Sequence, residues 1–268
     1  EHGLARLREG FPLCNRLLRE IHATLLHSGR GAEKQPGEFR RSQNWIGGTR
    51  PGNAQYVPPP PDRVEPCMAA LERFLHAPDA PGALVKAALA HVQFETIHPF
   101  LDGNGRVGRL LIALILHHDG VLRQPLLYLS LYFKQHRAEY YRLLDTVRHT
   151  GDWEAWLDFF LEGVAQTASG AVETAHRLLA LFQADAARIQ PLGRSAANVL
   201  RVFDALRHRP VANIDTLAAH TGLSFPTVAR VIDALQRLAI VREITGKRRD
   251  RVFVYTAYLD LLNEPAQP

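Results

Sequence analysis

Apolar residues recur every three to four positions along most of the chain, which is the pattern of helices that bury one face. The stripe is dense in residues 4–26, where we expect one helix. The uninterrupted apolar run at residues 110–116 indicates a helix buried on all sides. The segment 125–133 fits a helix and a strand equally well. Further helices are predicted over residues 63–76, 83–97, 137–150, 152–166 and 171–189.

The C-terminal part has shorter elements and follows a Pro-Leu-Gly-Arg break at residues 191–194. We therefore predict two domains, residues 1–188 and residues 189–268. The sequence here suits a helix-turn-helix, which needs a small residue at the helix crossing, a glycine at the turn and apolar anchors after it. Ala218 is the small residue, Gly222 is the glycine, and Val228 and Val231 are the anchors. The predicted elements are helices over 195–208, 214–222 and 224–238 and strands over 241–245 and 251–255, which form a hairpin.

Residues 36–61 differ from both domains because they are rich in glycine and proline. Residues 43–46 and 55–57 are predicted to be short strands joined by a turn, that is, a hairpin. Four consecutive prolines then stiffen the exit as polyproline II. Taken alone, the segment also fits an inert surface loop or a ligand of a proline-binding domain.

Composition narrows the class of protein. The 268 residues are 46% hydrophobic, enough for a real core, yet the longest apolar run is far shorter than a membrane span. Cys14 and Cys67 lack metal-ligand spacing and fit a reducing cytosol. We therefore expect a cytoplasmic protein that does not insert into membranes.

Charge is distributed unevenly along the chain. Residues 187–268 contain 12 Lys and Arg and 7 Asp and Glu, a net charge of +5, whereas residues 1–186 contain 20 of each sign. The whole positive excess therefore belongs to the C-terminal part, which supports a separate module there.

A polar cluster at residues 98–109 separates two of the predicted helices and reads His-Pro-Phe-Leu-Asp-Gly-Asn-Gly-Arg-Val-Gly-Arg. The first amides of the second helix lack intrahelical partners, and the helix dipole is positive there. Gly103 and Gly105 permit a nest of N–H donors close to an anion. Arg106 and Arg109 lie three residues apart, so both guanidiniums can reach that anion.

Two further residues of the cluster add chemistry. Asp102 is a hard oxygen ligand suited to Mg²⁺, which often bridges a carboxylate and substrate phosphates. His98 can take a proton from an incoming nucleophile. A plain glycine-rich helix start with surface arginines does not explain why a base, an acid and two cations lie in one short segment. A site that transfers a phosphate-containing group needs all of them.

The pattern His-Pro-Phe-x-Asp-Gly-Asn-Gly-Arg-x-x-Arg resembles, at every position, the signature of the Fic family, typified by protein adenylyltransferases (AMPylators). The resemblance implies a mainly α fold, a helical bundle with a β-hairpin flap. It also implies transfer of AMP from MgATP to a Tyr, Thr or Ser hydroxyl of a target protein, with release of pyrophosphate.

The same resemblance implies roles for individual residues. His98 would deprotonate the target hydroxyl, Phe100 would anchor the loop in the core, and Asp102 would hold Mg²⁺ between the α- and β-phosphates. Arg106 would grip the phosphates and Arg109 would reach the γ-phosphate. The implied nucleotide-binding set of the cluster is Asp102, Gly103, Asn104, Gly105, Arg106, Gly108 and Arg109.

Outside the cluster the resemblance is looser. Residues 36–61 resemble the Fic flap, which would hold an extended segment of the target by strand addition, with Ile46 and Gly47 at its tip. Tyr140 and Tyr141 fit two roles equally well, the wall of an adenine pocket or ordinary core packing.

The C-terminal elements look like a winged helix whose wing is residues 246–250. In such a module residues of the third helix would face the major groove and basic residues near the wing would contact phosphates. The alternative is a packing or dimerisation module, and contact with DNA and homodimer formation both stay open. The candidate contacts are Phe225, Thr227, Arg230, Lys247, Arg248, Arg249 and Arg251.

Two rival functions remain at this point. One is a related Fic-type phosphotransferase that acts as a kinase or moves phosphocholine, although the kinase-like pattern carries a bulkier residue where this chain has Gly105. The other is a DNA-binding regulator whose Fic domain only senses nucleotide.

One feature of many Fic proteins, an inhibitory helix with the pattern Ser/Thr-x-x-x-Glu-Gly/Asn, has no match here. Glu9-Gly10 and Glu162-Gly163 occur, but neither follows the required Ser or Thr. Since the chain starts at Glu1 and its single methionine is Met68, we expect the inhibitory helix to lie in a preceding segment or to come from a partner. The expected consequence is ready self-modification.

Overall fold

The computed structural model describes residues 2–28, 31–124 and 127–264. The chain is mainly helical, and it divides into two compact units, residues 1–168 and 169–268. In the described ranges, no helix is both long and apolar enough to span a lipid bilayer.

The helices are α1 (His2–Arg8), α2 (Asn15–Leu26), α3 (Pro61–Leu75), α4 (Ala83–Ile97), α5 (Asn104–His118), α6 (Leu129–Gln135), α7 (Arg137–Thr150), α8 (Trp153–Ile189), α9 (Ala196–His208), α10 (Ile214–Thr221), α11 (Phe225–Arg237) and α12 (Thr256–Asn263). The strands are β1 (Val211–Asn213), β2 (Val241–Glu243) and β3 (Val252–Tyr255), and 3₁₀ turns occur at Pro51–Asn53 and Gln190–Ser195.

The first unit is built around α4 and α5, which pack against each other on either side of a short turn. Ala87, Ala88 and Ala90 of α4 are fully buried, and their small side chains let neighbouring elements approach the helix closely. Trp156 of α8 is also fully buried, and its indole N–H donates to the carbonyl of Ala88 at 3.1 Å. Leu111 and Leu114 of α5 are fully buried as well. Both helices that carry the turn are therefore fixed in the core, which gives the turn a rigid base.

The helix predicted over residues 4–26 is two helices, α1 and α2. The chain leaves α1 through Gly10, whose φ of +83° is left-handed, and Pro12 follows. A left-handed glycine ends the helix, and proline cannot continue it, so the break is local in origin. In the ambiguous segment 125–133, α6 begins at Leu129, while Pro125 and Leu126 lie outside the described residues.

The helices predicted over 152–166 and 171–189 form the single helix α8, which tolerates Gly170 in its interior. The division between the compact units falls within α8, N-terminal to the boundary expected at 188–189. The physical reason is packing, since Phe182 and Ile189 near the end of α8 belong to the C-terminal core.

The predicted hairpin in residues 36–61 is reduced to one antiparallel bridge, between Ile46 and Tyr56. Ile46 donates its N–H to the Tyr56 carbonyl at 2.9 Å and accepts the Tyr56 N–H at 3.2 Å. The 3₁₀ turn at Pro51–Asn53 lies between the two arms. Pro61 begins α3, where a missing N–H costs nothing.

The second unit contains α9, β1, α10, α11, β2, β3 and α12 around its own core. Its antiparallel sheet has the order β1-β3-β2, with Val211 opposite Val254 and Val241 opposite Tyr255. The β2–β3 pair confirms the predicted hairpin, whereas β1 was not predicted because three residues are too few to show a strand period. Gly222 ends α10 with φ of +66° at the predicted turn.

Candidate active site

Residues 98–109 form the turn from α4 into α5, as predicted, and residues 98–103 of it are called the motif turn below. His98 caps α4 in a left-handed conformation, φ +49°, and donates its N–H to the Phe94 carbonyl at 2.9 Å. Gly103 precedes α5 with φ of +83°, and Asn104 is the first residue of that helix. The free N–H groups of α5 therefore face the motif turn, which suits an anion.

Phe100 and Asn104 hold the motif turn from inside. Phe100 is fully buried, as predicted for an anchor, and its ring stacks on His22. The Asn104 side chain is 2% exposed; it accepts the Phe100 N–H at 2.8 Å and donates to the Phe100 carbonyl at 2.7 Å. The side-chain amide of Asn104 therefore builds the turn, and its backbone N–H is the group for which an anion-binding role stays a prediction.

His22 of α2 supports the motif turn from outside, and sequence reasoning missed it. The ring is fully buried and lies parallel to Phe100, with centroids 3.7 Å apart. Gly37 donates its N–H to Nδ1 at 2.8 Å, so Nε2 carries the proton and donates to the Asp102 carbonyl at 2.9 Å. Burial lowers the pKa of His22, which keeps the ring neutral and this tautomer in place.

The imidazole of His98 is the base candidate, and it is largely buried at 19% side-chain exposure. Burial lowers the pKa of His98 to about 4, with Arg148 and Arg40 acting in the same direction, so the ring is neutral at pH 7. Its Nδ1 lies 3.8 Å from Oε2 of Glu95, one turn back on α4. The motif turn thus presents an unprotonated imidazole, as a general base requires.

The two arginines of the cluster lie differently. Arg106 is exposed beside the motif turn. Arg109 folds back over the first turn of α5, since its Nη1 lies 3.1 Å from the point where a Cβ on Gly105 would be. The structure therefore brings Gly105 and Arg109 together, and glycine leaves room for the guanidinium.

Gly108, which the resemblance placed in the nucleotide-binding set, lies at the contact between α4 and α5. A Cβ there would lie 2.5 Å from Oε1 of Glu95, and the Gly108 carbonyl accepts the Nδ1–H of His91 at 2.9 Å. Gly108 is thus a packing position at the α4–α5 contact, where a side chain does not fit.

Asp102 stands at the rim of the motif turn, and its Oδ1 accepts the Gly103 N–H at 2.6 Å. Within residues 2–28, 31–124 and 127–264, no group of three or more His, Cys, Asp or Glu side chains is arranged to hold a metal. A single carboxylate next to an anion site fits Mg²⁺ that takes its remaining ligands from phosphate and water.

Residues 36–61, called the flap below, are tied to the motif turn by Arg40, which sequence reasoning also missed. Arg40 is 2% exposed and donates to the carbonyls of His98 at 2.9 Å and Pro59 at 2.5 Å. Asn44 adds hydrogen bonds to the carbonyls of His98 and Phe100, at 3.3 and 3.0 Å. Both arms of the flap are therefore attached beside His98. A buried guanidinium with several carbonyl partners has no signature in sequence.

Ile46 and Gly47, the residues expected at the flap tip, lie at the antiparallel bridge and directly after it. Ile46 sits in the bridge to Tyr56, and the exposed Gly47 follows with φ of +69°. The Tyr56 hydroxyl donates to the Thr96 carbonyl at 3.0 Å, and Arg148 lies 4.0 Å from the centre of its ring. These contacts attach the bridge to the end of α4 and to α7.

Tyr140 and Tyr141 separate into the two roles considered for them. Tyr140 is 4% exposed, and its hydroxyl lies 2.9 Å from Nε2 of His91 in the core, so it is no pocket wall. Because Nδ1 of His91 donates to Gly108, Nε2 accepts from Tyr140. Tyr141 is 50% exposed, and the role of an adenine-pocket wall stays a prediction for its ring.

In the second unit the candidate nucleic-acid residues lie on α11 and between β2 and β3. Phe225 is 51% exposed at the start of α11, and Arg230 is exposed one turn later. The Thr227 hydroxyl lies 2.9 Å from that of Ser224. The remaining candidates are the exposed Lys247, Arg248 and Arg249 in the β2–β3 connection and Arg251, which lies over the ring of Phe253.

Comparison with known proteins finds similarity centred on the first unit. Residues 12–116 match the Fic/DOC family. Two proteins named protein adenylyltransferase Fic are similar: one from Culex quinquefasciatus, 34% identical over 152 residues, and one from Aedes aegypti, 35% identical over 150 residues. These alignments cover 56% and 55% of this chain and 27% of each relative. The chain therefore spans about a quarter of the length of these relatives.

A solved structure shares the fold. A Fic family protein from Desulfovibrio desulfuricans G20 superposes with a TM-score of 0.55 at 24% identity, over 90% of this chain and 68% of that one.

Proposed function

Since residues 12–116 match the Fic/DOC family, we propose that the protein is an adenylyltransferase that moves AMP from ATP to a hydroxyl group of a protein. The observation that carries the proposal is the motif turn, where a neutral, partly accessible His98 stands beside the free amides at the start of α5. The relatives that share this domain are named for the same activity.

In the proposed step the target hydroxyl oxygen attacks the α-phosphorus of ATP. The new O–P bond forms while the bond from the α-phosphorus to the bridging oxygen breaks, and pyrophosphate leaves with that electron pair. His98 takes the hydroxyl proton at Nε2, the ring nitrogen turned away from Glu95. The protein contributes orientation and charge stabilisation to this transfer.

The phosphates have a defined set of partners in this proposal. The backbone N–H groups of Asn104 and Gly105 hold the anion beside Gly103, whose own N–H is donated to Asp102. Arg106 grips the anion from the exposed side, and Arg109 reaches the γ-phosphate. Asp102 would hold Mg²⁺ against the phosphates, and the cation would neutralise charge that develops in the reaction.

The target protein is proposed to dock on the flap. Its extended segment would add as a strand beside Ile46 and Gly47 and bring its hydroxyl to His98. The contacts of Arg40 and Asn44 to the motif turn support this, because they fix the flap relative to the base.

The decisive experiment is a mass spectrum of the intact chain after incubation with MgATP. We expect the mass to rise by one or more AMP groups through self-modification at a Tyr, Thr or Ser hydroxyl. In parallel, ATP labelled at the α-phosphate should label protein, whereas ATP labelled at the γ-phosphate should not. Transfer of the γ-label instead would identify a kinase-type relative, and no label on this chain or on lysate proteins would refute the proposal.

We propose a second activity for the second unit, contact with nucleic-acid phosphates. Lys247, Arg248 and Arg249 are exposed in one connection, and they belong to the part that holds the net positive charge. A gel shift titrated with salt tests this. Binding that weakens with salt and is lost in the triple Gln variant supports it, and salt-independent or absent binding would leave packing or homodimer formation as the role of the unit.

A further inference from the structure

Two polar atoms are buried without hydrogen-bond partners just behind the base. Among the described residues, Nδ1 of His98 and Oε1 of Glu95 are both fully buried and meet no hydrogen-bond criterion, although the Glu95 backbone carbonyl lies close enough to the imidazole to raise its pKa. The Glu95 side chain is 8% exposed, and its Oε2 lies 3.8 Å from that Nδ1. A buried polar atom without a partner is costly, so two of them side by side require an explanation.

The site around Glu95 is shaped to keep the carboxyl beside His98. Gly108 on α5 provides the space, because a Cβ there would lie 2.5 Å from Oε1. Arg148 of α7 donates to the Glu95 backbone carbonyl at 3.2 Å and fixes that turn of α4. The carboxyl is thus confined between α4 and α5, with Oε2 3.8 Å from Nδ1 of the imidazole.

We propose that Glu95 is a positioning residue that selects the tautomer of His98. Its carboxylate accepts the Nδ1–H of the imidazole, which leaves the lone pair on Nε2 to receive the proton of the target hydroxyl. The same carboxylate then stabilises the imidazolium until that proton passes to water. The role rests on the proposed adenylyl transfer.

Protonation of Glu95 reverses the selection. A neutral carboxyl group donates its proton to Nδ1, and the imidazole then carries its own proton on Nε2, where it cannot act as a base. Burial raises the pKa of Glu95 to about 7, while Arg109 and Arg148 act against the rise. The active tautomer is therefore gained as the pH rises through about 7.

The charged and titratable groups that face this pair come from each element packed against it. They are Arg109 of α5, Arg148 and Tyr140 of α7, Arg40 of the flap and Asp102 of the motif turn. Guanidinium groups do not lose their charge near neutral pH in proteins. Burial raises the pKa of Tyr140 well above its usual value. Among the described groups, Glu95 is thus the one that changes charge near pH 7 beside Nδ1.

The first test needs no ATP. Protein labelled with ¹⁵N-histidine is titrated by NMR from about pH 5.5 to about pH 8.5, and the His98 signals are assigned by their loss in His98→Ala. We expect the proton to move from Nε2 to Nδ1 as the pH rises. Glu95→Gln, which keeps the shape but not the charge, should hold one tautomer throughout. A single unchanging tautomer in the unmodified protein would overturn the proposal, because the Glu95 backbone carbonyl would then fix the imidazole whatever the charge of the carboxyl.

The second test measures transfer. Glu95→Gln should lower kcat by about tenfold or more, leave the KM for ATP within about twofold, and remove the rise in rate near pH 7. Glu139→Gln, on an exposed part of α7, is the matched control and should behave as the unmodified protein. A Glu95→Gln enzyme with unchanged kcat and pH profile would refute the role. If the unmodified protein transfers no AMP, the proposed function fails, and the NMR titration still decides the tautomer.

Discussion

The guanidinium of Arg40 donates its Nε–H to the backbone carbonyl of His98 at 2.9 Å, so a fully buried cation holds the base in place. Arg40 also donates to the carbonyl of Ile97 at 3.3 Å. Both carbonyls lie at the C-terminal end of α4, where the helix dipole is negative and favours a cation. The same side chain reaches Pro59 on the far arm of the flap. One residue therefore joins the base, the end of α4 and both arms of the flap.

Replacing Arg40 with Met should leave these buried carbonyls without donors. We expect the free energy of unfolding to fall by about 2–4 kcal/mol, measured by urea denaturation. In conditions where the variant stays folded, the KM for a protein target should rise more than the KM for ATP, because the flap loses its attachment. Arg41→Met, at the exposed neighbouring position, is the control. Equal stability of the two variants would contradict the role of Arg40.

His22→Phe tests the support of the motif turn from α2. Phenylalanine keeps the stack on Phe100 but leaves the Gly37 N–H and the Asp102 carbonyl without their partner. We expect the free energy of unfolding to fall by about 2–4 kcal/mol. We also expect MgATP to bind more weakly, and calorimetry measures this binding. His27→Phe, at an exposed position after α2, should change neither quantity. MgATP binding equal to that of the unmodified protein would show that His22 does not position Asp102.

His98→Ala should abolish AMP transfer and leave the dissociation constant of ATP within about threefold, because the base contacts the hydroxyl and not the phosphates. Mass spectrometry of the intact chain measures transfer, and calorimetry measures binding. Self-modification that persists in His98→Ala would exclude His98 as the base.

Low pH should lower the free energy of unfolding of this protein through the protonation of His98. The ring has an ordinary pKa of 6.5 in the unfolded chain and about 4 in the folded one. The unfolded state therefore binds more protons between these values. The contribution of the neutral His98 ring to the free energy of unfolding is fully present above pH 6.5 and is lost as the pH falls towards 4. Between those limits the unmodified protein should lose up to about 3 kcal/mol more than His98→Ala. Parallel stability curves of the two proteins would contradict the burial of a neutral ring.

Substitution of Tyr140 should affect the stability of the protein, whereas substitution of Tyr141 should affect nucleotide binding. Tyr140→Phe removes the hydrogen bond to the buried His91 and should cost about 1–3 kcal/mol of unfolding free energy, with ATP binding unchanged. Tyr141→Ala should weaken ATP binding with little effect on stability, because its exposed ring is the one an adenine can stack on. Calorimetry with ATP and with inorganic triphosphate distinguishes the base from the phosphates. Equal ATP affinity in Tyr141→Ala would remove it from the site.

The sequence by itself determined the local part of this protein. Helical spacing gave α4 and α7 with their observed limits, and the order of residues in 98–109 placed a base, a carboxylate and an anion-binding helix start on one turn, because neighbours in sequence are neighbours in space there. Gly10 and Pro12 are residues that favour a break between α1 and α2. One helix was nevertheless predicted over residues 4–26, because the apolar stripe continues across them.

Only the tertiary structure decided which side chains meet across long stretches of chain. Arg40 joins His98, His22 reaches Asp102, and Tyr140 turns inward to His91, each across more than one element. The pairing of Glu95 with the base likewise depends on α5, since Gly108 makes room for the carboxyl. Such contacts leave no period in the sequence, because they are set by the packing of helices and by the need to pair buried polar groups.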